Sequence, residues 1–205
     1  NFGSVSAFSI DSKSGQLSSL NTTSSFGESP CHISLSADGQ EAYISHYGGG
    51  SLSALEINAD GSIGNLIDTL SHTGSSVNAQ RQEAPHVHSI QPIPGMQQIV
   101  VADLGIDQLK IYQIENDTLM SASLAAVKTE PGAGPRHFTF SPDGQLLYVA
   151  EELTSTVSVH ELNLKDGSAE QVQRLSTLPE DFAEYNTVAD IHLSPDGQFL
   201  YVSNR

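Results

Sequence analysis

An all-β fold, a β-propeller of four-stranded antiparallel blades, is what the sequence predicts, and three observations carry it. A hairpin with the same punctuation recurs four times, each of the first three copies is followed by two more strand-like runs, and no segment sustains a helical period over three turns. The clearest hairpin spans residues 134–152. Residues 137–141 alternate toward an apolar face, Pro142-Asp143-Gly144 turns the chain, and residues 146–150 form a nearly continuous apolar strand. The turn glycines Gly39, Gly95, Gly144 and Gly197 lie 56, 49 and 53 residues apart. Four short strands per unit of about fifty residues suit a propeller blade better than a sandwich.

Taken in order, residues 1–23 read as the last two strands of one blade (4–10 and 16–20). Residues 24–71 form a blade: a hairpin over 30–47, a strand over 51–57, the turn Asp60-Gly61 and a strand over 66–70. Residues 72–128 form the next. It opens with a polar insertion over 71–83, read as a long loop that lips over the site. Its hairpin turns at Pro94-Gly95, and strands follow over 108–114 and near 119–127. Residues 129–179 repeat the pattern, with a turn at Asp166-Gly167, and residues 180–205 begin another blade. The total is roughly four blades of material in one domain, where a closed ring typically has more. The chain also starts without Met, and a fragment of a longer protein is expected.

Composition narrows the function classes. The formal net charge is −16, which repels nucleic acid and anionic membranes, so neither is an expected partner. The lone cysteine, Cys31, excludes an internal disulfide framework and is expected to be a small buried residue. No apolar run approaches twenty residues and no signal-peptide pattern is visible. The cytoplasm is the expected compartment, or the periplasm if a signal precedes residue 1.

In a propeller the first strand of each blade lines the channel, and strand geometry brings its start and the end of the second strand to one rim. His32, His86, His88, Arg136, His137 and Asp190 fall at the starts; His46-Tyr47, Asp103, Glu151-Glu152 and Asn204-Arg205 fall at the ends. Of only four arginines, Arg136 and Arg205 are at this rim. Two guanidinium groups at one channel mouth of an acidic chain point to an anionic ligand; the alternative is that Arg136 simply pairs with Glu151 or Glu152. His88 is a candidate base or hydrogen-bond donor, and Glu152 a base or an orienter of Arg136. His86, Asp103, His137 and Glu151 are candidates for substrate contact. The alternative for His32, His137 and His192 is a structural bond to a neighbouring turn. Phe138, Phe140, Tyr148, Phe199 and Tyr201 are expected in the core between blades. With no close-spaced ligand motif, no metal is expected.

On Pro85-His86-Val87-His88, Ala102-Asp103-Leu104-Gly105 with Asp107, Gly134-Pro135-Arg136-His137, Glu151-Glu152-Leu153 and Ser203-Asn204-Arg205, the chain resembles the lactonase family of seven-bladed propellers. That family includes propeller-type 6-phosphogluconolactonase and carboxy-muconate cyclase. The resemblance implies seven blades in the intact protein and a rim site of His88, Arg136, Glu152 and Arg205. Two departures stand out: Glu151 and His46 occupy positions where the family pattern has Asn, and they place extra titratable groups at the strand ends. The expected activity is hydrolysis of a sugar lactone, a small anionic substrate, by water attack on the ester carbonyl without a cofactor. A carboxymuconate cycloisomerase and a non-catalytic binding or scaffold propeller are the alternatives.

Overall fold

The computed structural model describes residues 2–115, 118–121, 126–163 and 168–205. The expected turn Asp166-Gly167 and part of the expected 119–127 run lie outside these residues. Three sheets of at least four strands are flanked by two sheets of two strands, all antiparallel. The first half-blade pairs β1 (Phe2–Ile10) with β2 (Leu17–Glu28). The first full blade runs β3 (Pro30–Leu35), β4 (Glu41–His46), β5 (Ser51–Ile57) and β6 (Ile63–Ser71). The second runs β7 (Val87–Pro92), β8 (Gln98–Asp103), β9 (Gln108–Glu115) and β10 (Thr118–Ser121), with the short β11 (Val127–Lys128) also pairing with β9. The third runs β12 (Pro135–Phe140), β13 (Leu146–Glu151), β14 (Thr156–Asn163) and β15 (Ser168–Ser176). The closing half-blade pairs β16 (Val188–Leu193) with β17 (Leu200–Asn204).

The hairpin punctuation has a local cause. In Ser36-Ala37-Asp38-Gly39, Ser141-Pro142-Asp143-Gly144 and Ser194-Pro195-Asp196-Gly197 the serine hydroxyl donates to the aspartate two residues on, at 2.7, 2.5 and 2.5 Å. Each glycine sits at φ +71°, a left-handed conformation open to glycine at little cost.

The second strand of each full blade is buried on both faces, which explains its continuous apolar run. Its side chains meet those of the next sheet in four apolar clusters, one at each junction between successive sheets. Phe138, fully buried between the second and third full blades, contributes about 2–3 kcal/mol by removing its ring from water. Phe140 is buried with it and Tyr148 packs against the last junction, but Phe199 and Tyr201 are 58% and 62% exposed. Among the described residues no strand covers their face of the closing half-blade, so these two are not buried between blades as Phe138 and Phe140 are.

Candidate active site

The backbone register repeats two positions in each blade, both at the end of the sheet away from the first hairpin's turn. The first is a bulge one residue into the first strand: the pairing slips between Pro30 and His32, Val87 and Ser89, Pro135 and His137, and Val188 and Ile191. A bulge re-aims the side chain it carries. The residues left out of the pairing are Cys31, His88 and Arg136 and, in the closing half-blade, Ala189 with Asp190. The second position follows the second strand. The amides of Tyr47, Leu104, Glu152 and Arg205 each donate to the carbonyl of the residue just before the first strand, at 2.8–3.0 Å. In the second and third full blades a short 3-10 turn, η1 (Leu104–Ile106) or η2 (Glu152–Thr154), begins at this residue. Gly105 within η1 is packed so tightly that a β-carbon would sit 1.9 Å from the Ala84 carbonyl oxygen.

The carboxylate of Glu152, 1% exposed, gathers three guanidinium groups. Arg81 Nη2 reaches Oε1 at 2.6 Å; Arg136 Nε and Arg205 Nη2 reach Oε2 at 2.9 and 3.1 Å. Arg136 Nη1 also donates to the Ala189 carbonyl of the next half-blade. The Arg136–Glu152 contact is an ion pair without the alignment of a hydrogen bond: neither Arg136 Nε nor Glu152 Oε2 has a directed partner within the protein. His88 Nδ1 and His137 Nε2 are likewise buried and unpartnered. Buried polar atoms are normally satisfied, so the two histidine nitrogens mark a place where a ligand can complete the hydrogen bonding.

His88 is held to a pKa of about 3, first by burial, then by the positive charges of Arg136 and His137. It is therefore neutral near pH 7 and carries a free lone pair. His137 packs edge-on against it, with ring centroids 5.2 Å apart. Burial also lowers His137, so Nδ1–H donates to Asp190 Oδ1 at 2.7 Å and Nε2 keeps its lone pair. Asp190 binds His192 as well, at 2.9 Å. Burial opposes the charge on Asp190, yet bonds from His137, His192 and the Ile191 amide hold it down to about 2. His32 accepts the Ile90 amide at 3.4 Å. The structural alternative thus takes the form of links between blades for His32 and His137 and of a bond within β16 for His192, in place of bonds to Asp-Gly turns.

Arg136, Glu152 and Arg205 are in contact, and His88 lies within electrostatic reach of both arginines. His86 stacks on Tyr47 at 4.3 Å, and its Nδ1 donates to the Tyr47 carbonyl at 3.0 Å. Glu151 and Asp103, the last residues of their strands, point elsewhere, because consecutive strand residues face opposite sides. Glu151, fully buried, is held by Arg174 at 2.7 Å and the Thr156 hydroxyl at 2.5 Å. Asp103, also fully buried, accepts from the His86 and Gly105 amides at 2.7 and 2.9 Å and binds His72 Nδ1 at 2.6 Å. His46 is fully buried too, its ring seated where Gly27 lacks a β-carbon. The two departures from the family pattern are therefore packed into the protein. Cys31 is not the buried residue expected: it is exposed, although its sulfur reaches the His88 carbonyl at 3.3 Å and burial of the thiol raises its pKa.

Sequence reasoning passed over Arg81 as a site residue and placed Tyr47 at the rim without giving it a role. Arg81 joins from the 71–83 insertion, and its Nη2 also reaches the Tyr47 hydroxyl at 3.4 Å. The available signal was its type, an arginine on the expected lip loop of a chain of net charge −16. Two clefts elsewhere, one of about 290 Å³ beside Asp38 and Tyr43, include none of these residues. Among the described residues, no group of three or more His, Cys, Asp or Glu is arranged to hold a metal ion, and no helix is long and apolar enough to cross a membrane.

The neutral histidines make fold stability pH-dependent. His88 and His32 (held to about 4, mainly by burial) have folded pKa values below the 6.5 of the free side chain, so the unfolded chain binds more protons below pH 6.5. Stability is then lost as pH falls from about 6.5. His88 alone is expected to remove about 2 kcal/mol by pH 5. Urea unfolding midpoints of the intact protein across this window check it; a flat midpoint contradicts it.

Comparison with known proteins places these residues in context. A family profile described as "Lactonase, 7-bladed beta-propeller" matches residues 1–205. The 6-phosphogluconolactonase of Bacillus subtilis is 36% identical over 203 residues, covering 99% of this chain and 57% of the relative. The protein of that name from Formosa agariphila is 34% identical over 206 residues, covering 99% of this chain and 58% of the relative. Among solved structures, the periplasmic gluconolactonase of Pseudomonas aeruginosa superposes with a TM-score of 0.92 at 33% identity, covering 100% of this chain and 58% of that one. The chain thus spans less than two thirds of the length of these relatives.

Proposed function

The chain belongs to the lactonase family of seven-bladed β-propellers, and from that premise we propose that it hydrolyses a sugar lactone, with 6-phosphogluconolactone the foremost substrate. The observation that carries this reading is the buried Glu152 carboxylate drawing Arg136 and Arg205 together beside neutral His88.

Both Glu152 oxygens are engaged by guanidinium groups, so the residue acts as the orienter of the arginines. His88 is left to receive the proton. Water attacks the ester carbonyl carbon and His88 takes its proton while the carbonyl π electrons move to oxygen. Arg136 stabilises the resulting oxyanion. The intermediate collapses, the ring C–O bond breaks, and the proton passes from His88 to the departing alkoxide. Arg205 holds the anionic group of the substrate. A base with a pKa of about 3 is weak, first because it is buried and then because of the Arg136 charge, which also stabilises the oxyanion. An anionic substrate that neutralises that charge raises the basicity of His88 when it binds.

The test is acid release from the phosphorylated lactone by the intact protein, followed by pH-stat. Hydrolysis faster than the spontaneous rate is expected; a rate equal to background overturns the reading.

A further inference from the structure

We propose that Arg81, delivered by the loop between β6 and β7, joins Arg205 on the substrate's phosphate and is the residue that selects phosphorylated over unphosphorylated lactones. This rests on the lactonase reading and names the substrate class that the same site takes.

Three observations support it. First, the loop is built to hold Arg81 in place. Asp103 anchors both of its ends, His72 through Nδ1 at 2.6 Å and His86 through its amide at 2.7 Å. Asp107 anchors its middle, accepting from the Ser76 hydroxyl at 2.5 Å and Gln82 Nε2 at 2.8 Å. Gln82, next to Arg81 in sequence, is fully buried and also donates to the Leu104 carbonyl at 2.9 Å. Asp107 further accepts from the Gly132 and Gly134 amides at 2.7 and 2.8 Å, just ahead of Arg136. One carboxylate therefore sets Arg81 and Arg136 relative to each other.

Second, Arg81 is aimed inward and remains reachable. Nη2 takes Glu152 and Tyr47, while the side chain is 34% exposed. Among the described residues, Nε and Nη1 have no hydrogen bond or ion pair within the protein, and each can donate to a phosphate oxygen.

Third, the charge balance turns on it. Arg136 and Arg205 are matched in number by Glu152 and Asp190, the two carboxylates whose charges reach Arg136. With Arg81 also on Glu152, the cluster sets three guanidinium groups against these two carboxylates and keeps one positive charge in excess. A phosphomonoester carries close to two negative charges at pH 7, and the unphosphorylated lactone none.

The experiment compares wild type with Arg81→Gln in the intact protein, using δ-lactones of one sugar acid with and without the phosphate. The ratio of kcat/KM, phosphorylated to unphosphorylated, is expected to fall about 10- to 100-fold, the range of a lost charge-assisted hydrogen bond. Equal losses on both lactones overturn the proposal and make Arg81 a support for Glu152 alone. Calorimetry with the two corresponding open-chain acids decides the same point without turnover: the phosphorylated acid should lose affinity selectively, and an unchanged affinity ratio overturns the proposal. If wild type hydrolyses neither lactone, the lactonase reading fails separately, while calorimetry still judges Arg81. Thermal melting of the variant shows whether it is folded.

Discussion

Glu152→Gln is expected to lower kcat/KM for the phosphorylated lactone by about 10³-fold and to destabilise the intact protein by about 2–4 kcal/mol. The amide has the size of the carboxylate but no charge. Arg81, Arg136 and Arg205 then face one another without the anion that holds them within 3.1 Å of one point. Removing one partner of a buried ion pair leaves uncompensated charge, and Arg136, 14% exposed, has the least access to water as a substitute. Two readouts separate the roles of Glu152. As orienter, its loss lowers the melting temperature and the rate together and leaves the pH dependence of the residual activity in place. As base, its loss would remove one limb of the pH–rate profile and leave the melting temperature near that of wild type. Near wild-type kcat/KM would mean that the cluster does not build the site.

Arg136→Lys is expected to lower kcat by about 10²–10³-fold with a smaller change in KM, the pattern of a group that acts mainly in the transition state. Lysine keeps the charge but not the geometry. Arg136 spends one nitrogen on the Ala189 carbonyl and points another toward Glu152, so its orientation is set from two sides. An ammonium group cannot satisfy both and also present a donor to the oxyanion. Steady-state kinetics on the phosphorylated lactone decide it. If KM rises and kcat holds, Arg136 is a ground-state binding residue and the oxyanion is stabilised elsewhere.

Much of this site was legible in the sequence. Arg136 and Glu152 were expected as neighbours because a tight hairpin brings its two outer ends together, and Pro135 does pair with Glu151. Other choices were closed to one-dimensional reasoning. Glu151 and Glu152 are chemically identical and adjacent, yet one meets Arg174 and the other gathers three arginines.

By itself the sequence determined the blade: Ser-x-Asp-Gly turns, apolar second strands and their spacing are local signals whose hydrogen bonds close within a few residues. It also determined that scarce arginines and histidines gather at strand ends. Only the tertiary structure decided which of them meet at Glu152. That choice depends on a one-residue bulge and a 3-10 turn, each of which redirects a side chain without altering the hydrophobic pattern. The contact of Arg81 with a carboxylate 71 residues away is of the same kind. It exists because two buried aspartates fix a polar loop across the channel mouth, a long-range arrangement that no local periodicity records.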